Sequence, residues 1–88
     1  MGFKYDPAKA AANLKKHKVS FADAEGVFED PLALTIEDRE ALAEQRLITI
    51  GLGNGGELLV VVYTEPGDEY RLISARRATR KERKQYES

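Results

Sequence analysis

The feature that most restricts the fold of this chain is a glycine-rich turn between two runs of apolar and β-branched residues. The runs span residues 46–52 and 57–64, and Gly53-Asn54-Gly55-Gly56 joins them. An Asn-Gly pair between two such runs is the strongest short-range signal of a β-hairpin, because these residues accept the tight backbone of the turn. The second half of the chain is therefore predicted to form an antiparallel sheet around this hairpin.

Further strands are predicted on both sides of the hairpin. Apolar side chains alternate with others over residues 32–37 and again over 70–75, the period of two that is typical of a half-buried strand. Residues 3–5 are a short strand candidate near the N-terminus. These patterns predict a four-stranded antiparallel sheet and a separate short N-terminal strand.

Three helices are predicted from their capping residues. Asp6 and Pro7 supply an N-cap and a proline at the first helical position, where the missing N–H is not needed. Ser20 is the N-cap of a second helix, and Thr79 with Glu82 forms a capping box for a basic C-terminal helix. The element order predicts an α+β fold, and 88 residues suit one domain over 1–88.

The composition argues against several classes of protein. The chain has no cysteine and one histidine, His17, so thiolate and imidazole metal ligands are nearly lacking and disulfide scaffolds are excluded. The longest apolar run covers residues 58–63, far short of the roughly 20 residues that span a bilayer. We therefore expect a soluble cytoplasmic protein without a metal or other cofactor.

The net charge of −1 hides a strong polarity along the chain. Residues 1–18 carry five lysines against one acid, and residues 71–88 carry seven basic residues against two acids. Residues 19–44 carry eight acids against one arginine. Basic ends and an acidic middle suggest that one surface binds a polyanion such as a nucleic acid, although two solvated helices give the same pattern.

Five spaced blocks of the sequence closely resemble the BrnT family. The first two blocks are Phe3-x-Tyr5-Asp6-Pro7-x-Lys9-x-x-x-Asn13-x-x-Lys16-His17-x-Val19-Ser20-Phe21 and Ala24-x-x-Val27-Phe28-x-Asp30-Pro31. The others are Glu44-x-Arg46-x-x-x-Ile50-Gly51, Leu58-x-Val60-Val61-x-Tyr63 and Ile73-Ser74-Ala75-Arg76-x-Ala78-x-x-x-Glu82-Arg83-x-x-Tyr86. They occur in the family's order and cover nearly the whole chain.

The resemblance implies a RelE-like fold and a ribonuclease toxin of a type II toxin–antitoxin pair. It also implies a BrnA-like ribbon-helix-helix antitoxin that joins the toxin in a hetero-oligomer and alone contacts operator DNA. The chain differs from the family at two positions, with Tyr5 in place of the usual Trp and Lys18 in place of the usual Gly. If Lys18 has a positive φ, it costs about 1 kcal/mol relative to glycine.

Four residues are candidates for the chemistry of metal-free RNA cleavage. Arg46 and Arg76 lie at strand ends, where a planar guanidinium can bind phosphate oxygens. Glu44 is a candidate base for the 2′-hydroxyl, or else holds Arg46 in an ion pair. His17 is a candidate proton donor, since imidazole ordinarily changes charge near neutral pH, or else a cap at the end of its helix.

Four more residues are candidates for substrate binding. Arg80 and Arg83 share one face of the C-terminal helix, and Tyr86 lies three residues beyond on the same side. Tyr86 either stacks on a base or packs back on the sheet. Lys4 belongs to the basic N-terminal region and is assigned to general electrostatic attraction of RNA.

Two other functions fit the same charges. The chain could be a non-catalytic nucleic-acid-binding module, or an inactive protein that serves as the dimerising half of a repressor. An enzyme should bring Arg46, Arg76 and an acid or base into one cleft, whereas a binding module should spread its arginines along a stripe.

Overall fold

The computed structural model of the protein describes residues 2–38 and 45–88. Five strands form one sheet in the order β1-β5-β4-β3-β2, and helices lie on both of its faces. The strands are β1 (Gly2–Lys4), β2 (Leu34–Asp38), β3 (Arg46–Leu52), β4 (Leu58–Thr64) and β5 (Glu69–Arg77). The helices are α1 (Pro7–His17), α2 (Phe21–Ala24), a 3-10 helix (Glu25–Glu29) and α3 (Arg80–Glu87).

The predicted α+β fold and element order are confirmed, with one difference in the sheet. The N-terminal strand is not separate: β1 pairs in parallel with β5, with Phe3 opposite Tyr70. The sheet therefore has five strands instead of four. The Phe3 ring packs against the rings of Phe28 and Tyr70, both at centroid distances of 5.4 Å, and this aromatic contact holds the short strand in place.

The predicted hairpin is formed by β3 and β4, and its tip is fixed to α2. The turn has Gly56 at φ 83° and closes through the Gly56 N–H, which donates to the Gly53 carbonyl at 3.0 Å. The backbone N–H of Asn54 donates to the Asp23 carbonyl, and its side-chain amide donates to the Ala22 carbonyl, both at 2.9 Å. A Cβ at Gly26 would lie 2.5 Å from the Asn54 nitrogen, so only glycine permits this close approach.

The core lies mainly between the sheet and the first two helices. Phe21 and Val27 from the helical side pack against Leu59, Val61 and Leu72 from the strands, and all five are buried. Burial of large apolar side chains of this kind is the main stabilising term in folding. On the other face, Ile50, Leu58 and Val60 form a smaller cluster that is partly covered by Tyr86 of α3.

The side-chain amide of Asn13 joins α1 to β5 by forming the backbone hydrogen bonds that a neighbouring strand would otherwise form. β1 pairs only with residues 69–71, so the outer edge of β5 needs other partners further along. The Asn13 Oδ1 accepts from the Ala75 N–H at 3.0 Å, and its Nδ2 donates to the Ala75 and Val19 carbonyls at 2.8 and 2.9 Å. Because Asn13 is only 6% exposed, these groups have no ready replacement in water.

The ends of α1 agree with the sequence-based predictions. Asp6 caps its start by accepting from the Ala8 N–H at 2.9 Å, and Pro7 is the first helical residue. At the other end Lys18 has φ 62° and ψ 26°, and its N–H donates to the Leu14 carbonyl at 2.9 Å. Lys18 therefore has the left-handed conformation that glycine adopts more easily, at a cost of about 1 kcal/mol.

Candidate active site

An open groove runs between α1 and β5 and is lined largely by cations. One part, of about 320 Å³, contains Arg46, Arg71, Lys4 and Lys9. The adjoining part, of about 260 Å³, contains Lys16, His17 and Ser74. Lys9 and Ile73 line both parts, so the two are continuous. We call this surface the basic groove and define it by its six basic side chains, Lys4, Lys9, Lys16, His17, Arg46 and Arg71.

The strand register explains why the arginines gather at one end of the sheet. Arg71 of β5 lies opposite Lys4 of β1 on one side and opposite Thr64 of β4 on the other. Leu47 pairs with Tyr63, so the next antiparallel position places Arg46 beside Thr64. The neighbouring strands β1, β5, β4 and β3 therefore carry Lys4, Arg71, Thr64 and Arg46 in one row, and three of these four residues are basic. Such a row of cations can bind one phosphate group and the neighbouring phosphates of a nucleic-acid strand.

His17 lies at the last position of α1 with its side chain in the basic groove. The helix end is completed by other groups: Lys18 returns its N–H to Leu14, and the Arg77 guanidinium donates to the His17 carbonyl at 3.4 Å. The imidazole lies near Lys16 and Ser74 in the wall of the groove. The Arg77 contact places His17 six residues along β5 from Arg71, so the histidine and the row of arginines lie in different parts of the groove.

Arg76 is held in an ion pair that fastens α3 to the sheet. Its Nη1 and Nη2 donate to the two carboxylate oxygens of Glu82 at 2.7 and 2.8 Å. The same carboxylate accepts from the Thr79 N–H at 2.9 Å, which completes the predicted capping box. The hydrogen bonds from Arg76, more than any other contact, lower the pKa of Glu82 to about 2. A catalytic role for Arg76 would require this ion pair to open.

The structure does not bring Arg46 and Arg76 together. Arg76 pairs with Val60, which pairs with Ile50, and Ile50 is four residues along β3 from Arg46. The separation is therefore about 13 Å along the strands, in addition to two strand spacings. Arg46 and His17 line different parts of the basic groove, whereas Arg76 lies under α3. Glu44, the predicted base, lies outside the described residues.

The pair formed by Arg76 and Glu82 predicts a loss of stability in acid. The pKa of Glu82 falls from an ordinary 4.5 to about 2 on folding, so its contribution is complete above pH 4.5 and disappears as the pH falls toward 2. We expect Glu82→Gln to lower the free energy of unfolding by about 1–2 kcal/mol at pH 7 and by nearly nothing at pH 2. Urea unfolding at both pH values measures this difference.

Glu57→Gln is the matched control, since Glu57 pairs with Arg77 at an exposed position. We expect a loss below about 1 kcal/mol for this variant at any pH. An equal loss for Glu82→Gln at pH 7 and pH 2 would contradict the assignment of the low pKa to the folded state.

The other predicted substrate-binding residues lie in two different places. Arg80 and Arg83 are exposed on α3, away from the basic groove, whereas Lys4 lies in the groove and pairs with Glu69 at 3.2 Å. The Tyr86 ring packs on the apolar cluster of the sheet, and its hydroxyl donates to Asp30 Oδ2 at 2.6 Å. The alternative in which Tyr86 packs back on the sheet thus describes the structure.

The sequence-based predictions missed Arg71 as a member of the site and included Lys9 and Lys16 only in the positive charge of residues 1–18. The sequence placed Arg71 in a predicted strand, which was the one available indication of its position. Its neighbours in the groove depend on pairing with residues that are distant in the chain, so its place in the site could not be predicted. Residues 2–38 and 45–88 contain no group of three His, Cys, Asp or Glu side chains placed to hold a metal ion. In the same ranges, no helix has the length and apolar character needed to cross a membrane.

Comparison with known proteins identifies the fold and the family. Residues 5–82 match the family described as the ribonuclease toxin BrnT of type II toxin–antitoxin systems. A solved structure of the Brucella abortus ribonuclease toxin BrnT is similar, with a TM-score of 0.70 and 29% sequence identity over 91% of this chain and 99% of that one. No curated protein sequence matches the chain. Because the family match spans most of the chain, the protein belongs to the BrnT family of type II toxin–antitoxin ribonuclease toxins.

Proposed function

We propose that this chain is an endoribonuclease toxin that cleaves RNA in the basic groove without a metal ion. The observation that carries the proposal is the basic groove, which has the two arginines Arg46 and Arg71 in one part and the single histidine, His17, in the adjoining part. Cations bind the phosphates, and an imidazole can give or take a proton. The family match and the similar Brucella toxin supply the reaction class.

The proposed reaction is an internal attack by the RNA on its own backbone. The 2′-oxygen loses its proton and bonds to the adjacent phosphorus, while the bond from phosphorus to the 5′-oxygen breaks and that oxygen gains a proton. The products are a 2′,3′-cyclic phosphate and a free 5′-hydroxyl. Arg46 and Arg71 stabilise the charge that builds up on the phosphate oxygens, which is the largest catalytic term expected in such chemistry.

His17 and Glu44 are the proposed proton-transfer groups. Glu44 accepts a proton from the 2′-hydroxyl, and His17 would have to reach from the adjoining part of the groove to give one to the leaving 5′-oxygen. General acid–base help of this kind typically contributes about 10²–10⁴-fold to the rate. Arg76 has its guanidinium occupied by Glu82, so we assign it to positioning α3. Arg80 and Arg83 attract RNA from outside the groove.

The protein has few side chains with which to hold a metal. Cysteine is lacking and histidine occurs once, so a resident ion would depend almost wholly on carboxylates. The groove itself is cationic, and Asp6 is the one acidic side chain among its described lining residues. A divalent cation would be repelled from such a surface, and the arginines supply the positive charge instead.

The direct test is cleavage of a single-stranded RNA by the purified chain in EDTA. We expect cleavage at the rate seen without EDTA, with 2′,3′-cyclic phosphate ends, and no cleavage of DNA of the same sequence because DNA has no 2′-hydroxyl. Activity that EDTA abolishes and Mg²⁺ restores would contradict the mechanism. RNA binding without cleavage would instead favour a non-catalytic binding module.

We further propose that a BrnA-like ribbon-helix-helix antitoxin binds this toxin and blocks cleavage. Membership of a type II toxin family supports a protein partner of this kind. Operator DNA would then be contacted by the antitoxin, and the toxin would enter the resulting hetero-oligomer through protein contacts.

A further inference from the structure

The edge strand β2 exposes large apolar side chains to water. It is the last strand of the sheet, and within residues 2–38 and 45–88 only β3 pairs with it. Leu34 and Ile36, which alternate along it, are 39% and 59% exposed, and Leu32 just before it is 68% exposed. Isolated exposed leucines are common, but three at alternate positions along an open edge form a continuous surface.

Among the described residues, this edge has few of the features that prevent pairing with another chain, its protection being the charge of Glu37 and Asp38. Edge strands are normally protected by proline, lysine, a bulge or an inward-pointing charge. The residues of β2 are Leu-Thr-Ile-Glu-Asp, which include neither proline nor lysine, and its register with β3 is regular throughout. Within residues 2–38 and 45–88, β2 is therefore a sheet edge to which a further strand can be added.

A shallow apolar pocket extends this surface toward α3. It has a volume of about 630 Å³ and is lined by Pro31, Leu32 and Leu34 on one side and by Tyr86 on the other. Leu52, the last residue of β3, is 42% exposed and lies on the same face of the sheet as Leu34 and Ile36. A bound segment could thus bury side chains in the pocket as well as along the strand.

The charges around the edge define what can bind there. Residues 19–38 contain six acids and no basic residue, and Arg39 follows directly. Glu29 and Asp30 before the strand, with Glu37 and Asp38 at its end, give the edge a net negative charge. RNA is repelled by such a surface. A second copy is disfavoured too, because it would bring the same acidic residues to the interface, where like charges repel. A protein segment with basic flanks is the complementary occupant.

We propose that the β2 edge is the docking site of the antitoxin, which adds a strand to the sheet there. The added segment carries apolar side chains at alternate positions, which contact Leu34 and Ile36, and lysine or arginine residues at its ends. This inference rests on the proposed function, because it takes the partner to be an antitoxin. Strand addition gives affinity through main-chain hydrogen bonds and specificity through the side-chain contacts.

The location also suggests how binding inhibits the toxin. Asp38, at the end of β2, lies opposite Arg46 in the ladder. A strand added beyond β2 would lie about 10 Å from β3, two strand spacings away. Side chains that follow the added segment would then reach the end of the basic groove that contains Arg46.

The test compares Ile36→Lys with Leu14→Lys, using the full-length antitoxin from the same operon as the probe. Both positions are exposed, at 59% and 50%, but Leu14 lies on α1 away from the edge. We expect Ile36→Lys to raise the Kd for antitoxin by about 30-fold or more, as at a central interface residue, and Leu14→Lys to leave it unchanged. Circular dichroism checks that both variants fold, and RNA cleavage by each should equal that of the parent.

Amide hydrogen exchange of the unsubstituted chain, with and without bound antitoxin, is an independent test of the docking site. We expect antitoxin to slow exchange at alternate amides of residues 34–38, as strand addition requires. An unchanged Kd for Ile36→Lys, or protection that falls only on other elements, would overturn the docking site, as would a parent chain that does not bind the antitoxin. Antitoxin binding is measured without RNA. If the parent chain does not cleave RNA but Ile36→Lys still weakens antitoxin binding, the proposed activity is refuted and the docking site stands.

Discussion

Arg46→Ala is expected to lower kcat for RNA cleavage by about 10²–10³-fold while the chain remains folded, by analogy with the loss of one preorganised donor from an oxyanion hole. Arg46 lines the basic groove and is the first residue of β3, so the sheet holds its backbone in place before the substrate binds. Its side chain is not part of the buried core. Single-turnover cleavage with saturating RNA measures the chemical step alone.

Arg76→Ala and Arg80→Ala are the controls for this prediction. Arg76→Ala should reduce stability through loss of the ion pair with Glu82, yet the folded fraction should cleave at close to the parent rate. Arg80→Ala should weaken RNA binding without changing kcat, because the residue lies on the exposed surface of α3. If Arg76→Ala folds but does not cleave RNA, and Arg46→Ala does cleave it, the active site lies at the surface under α3 and not in the basic groove.

Asn13→Ala is expected to cause the largest loss of stability, about 3–5 kcal/mol in the free energy of unfolding. The substitution leaves the Ala75 N–H and the Ala75 and Val19 carbonyls without their partner, and both residues are almost fully buried. Each unpaired buried group costs about 1–3 kcal/mol. Urea unfolding of the variant and the parent at pH 7 measures the loss.

Asn54→Ala is the matched control, because it removes an amide with one side-chain hydrogen bond at an exposed position. We expect a loss of about 1 kcal/mol for that variant. Equal stability of Asn13→Ala and Asn54→Ala would show that the amide of Asn13 does not act as the strand partner of β5.

Local features of the fold could be predicted because short-range residues determine them. The hairpin follows from Gly53 to Gly56, the start of α1 from Asp6 and Pro7, and the capping box of α3 from Thr79 and Glu82. In each case the residues that make the decisive hydrogen bonds are close in sequence. The left-handed conformation of Lys18 followed from the glycine that the family usually has there.

Long-range features could not be predicted in the same way. The parallel pairing of Phe3 with Tyr70 joins residues that are far apart in the chain, and no local pattern specifies it. Arg46 and Arg76 both looked like arginines at strand ends, but their distance depends on the register of three strands. The gathering of Lys4 and Arg71 beside Arg46 depends on the same register, which is why Arg71 was missed.

The most direct test of the account is to map where RNA binds on the folded chain. A single-stranded RNA with 2′-O-methyl groups at every position cannot undergo the proposed attack, so it can be titrated into ¹⁵N-labelled protein and followed by NMR. The account predicts that the largest chemical-shift changes occur at the basic groove, in Lys4, Lys9, His17, Arg71 and Ser74. Changes confined to α3, with the groove unaffected, would contradict it.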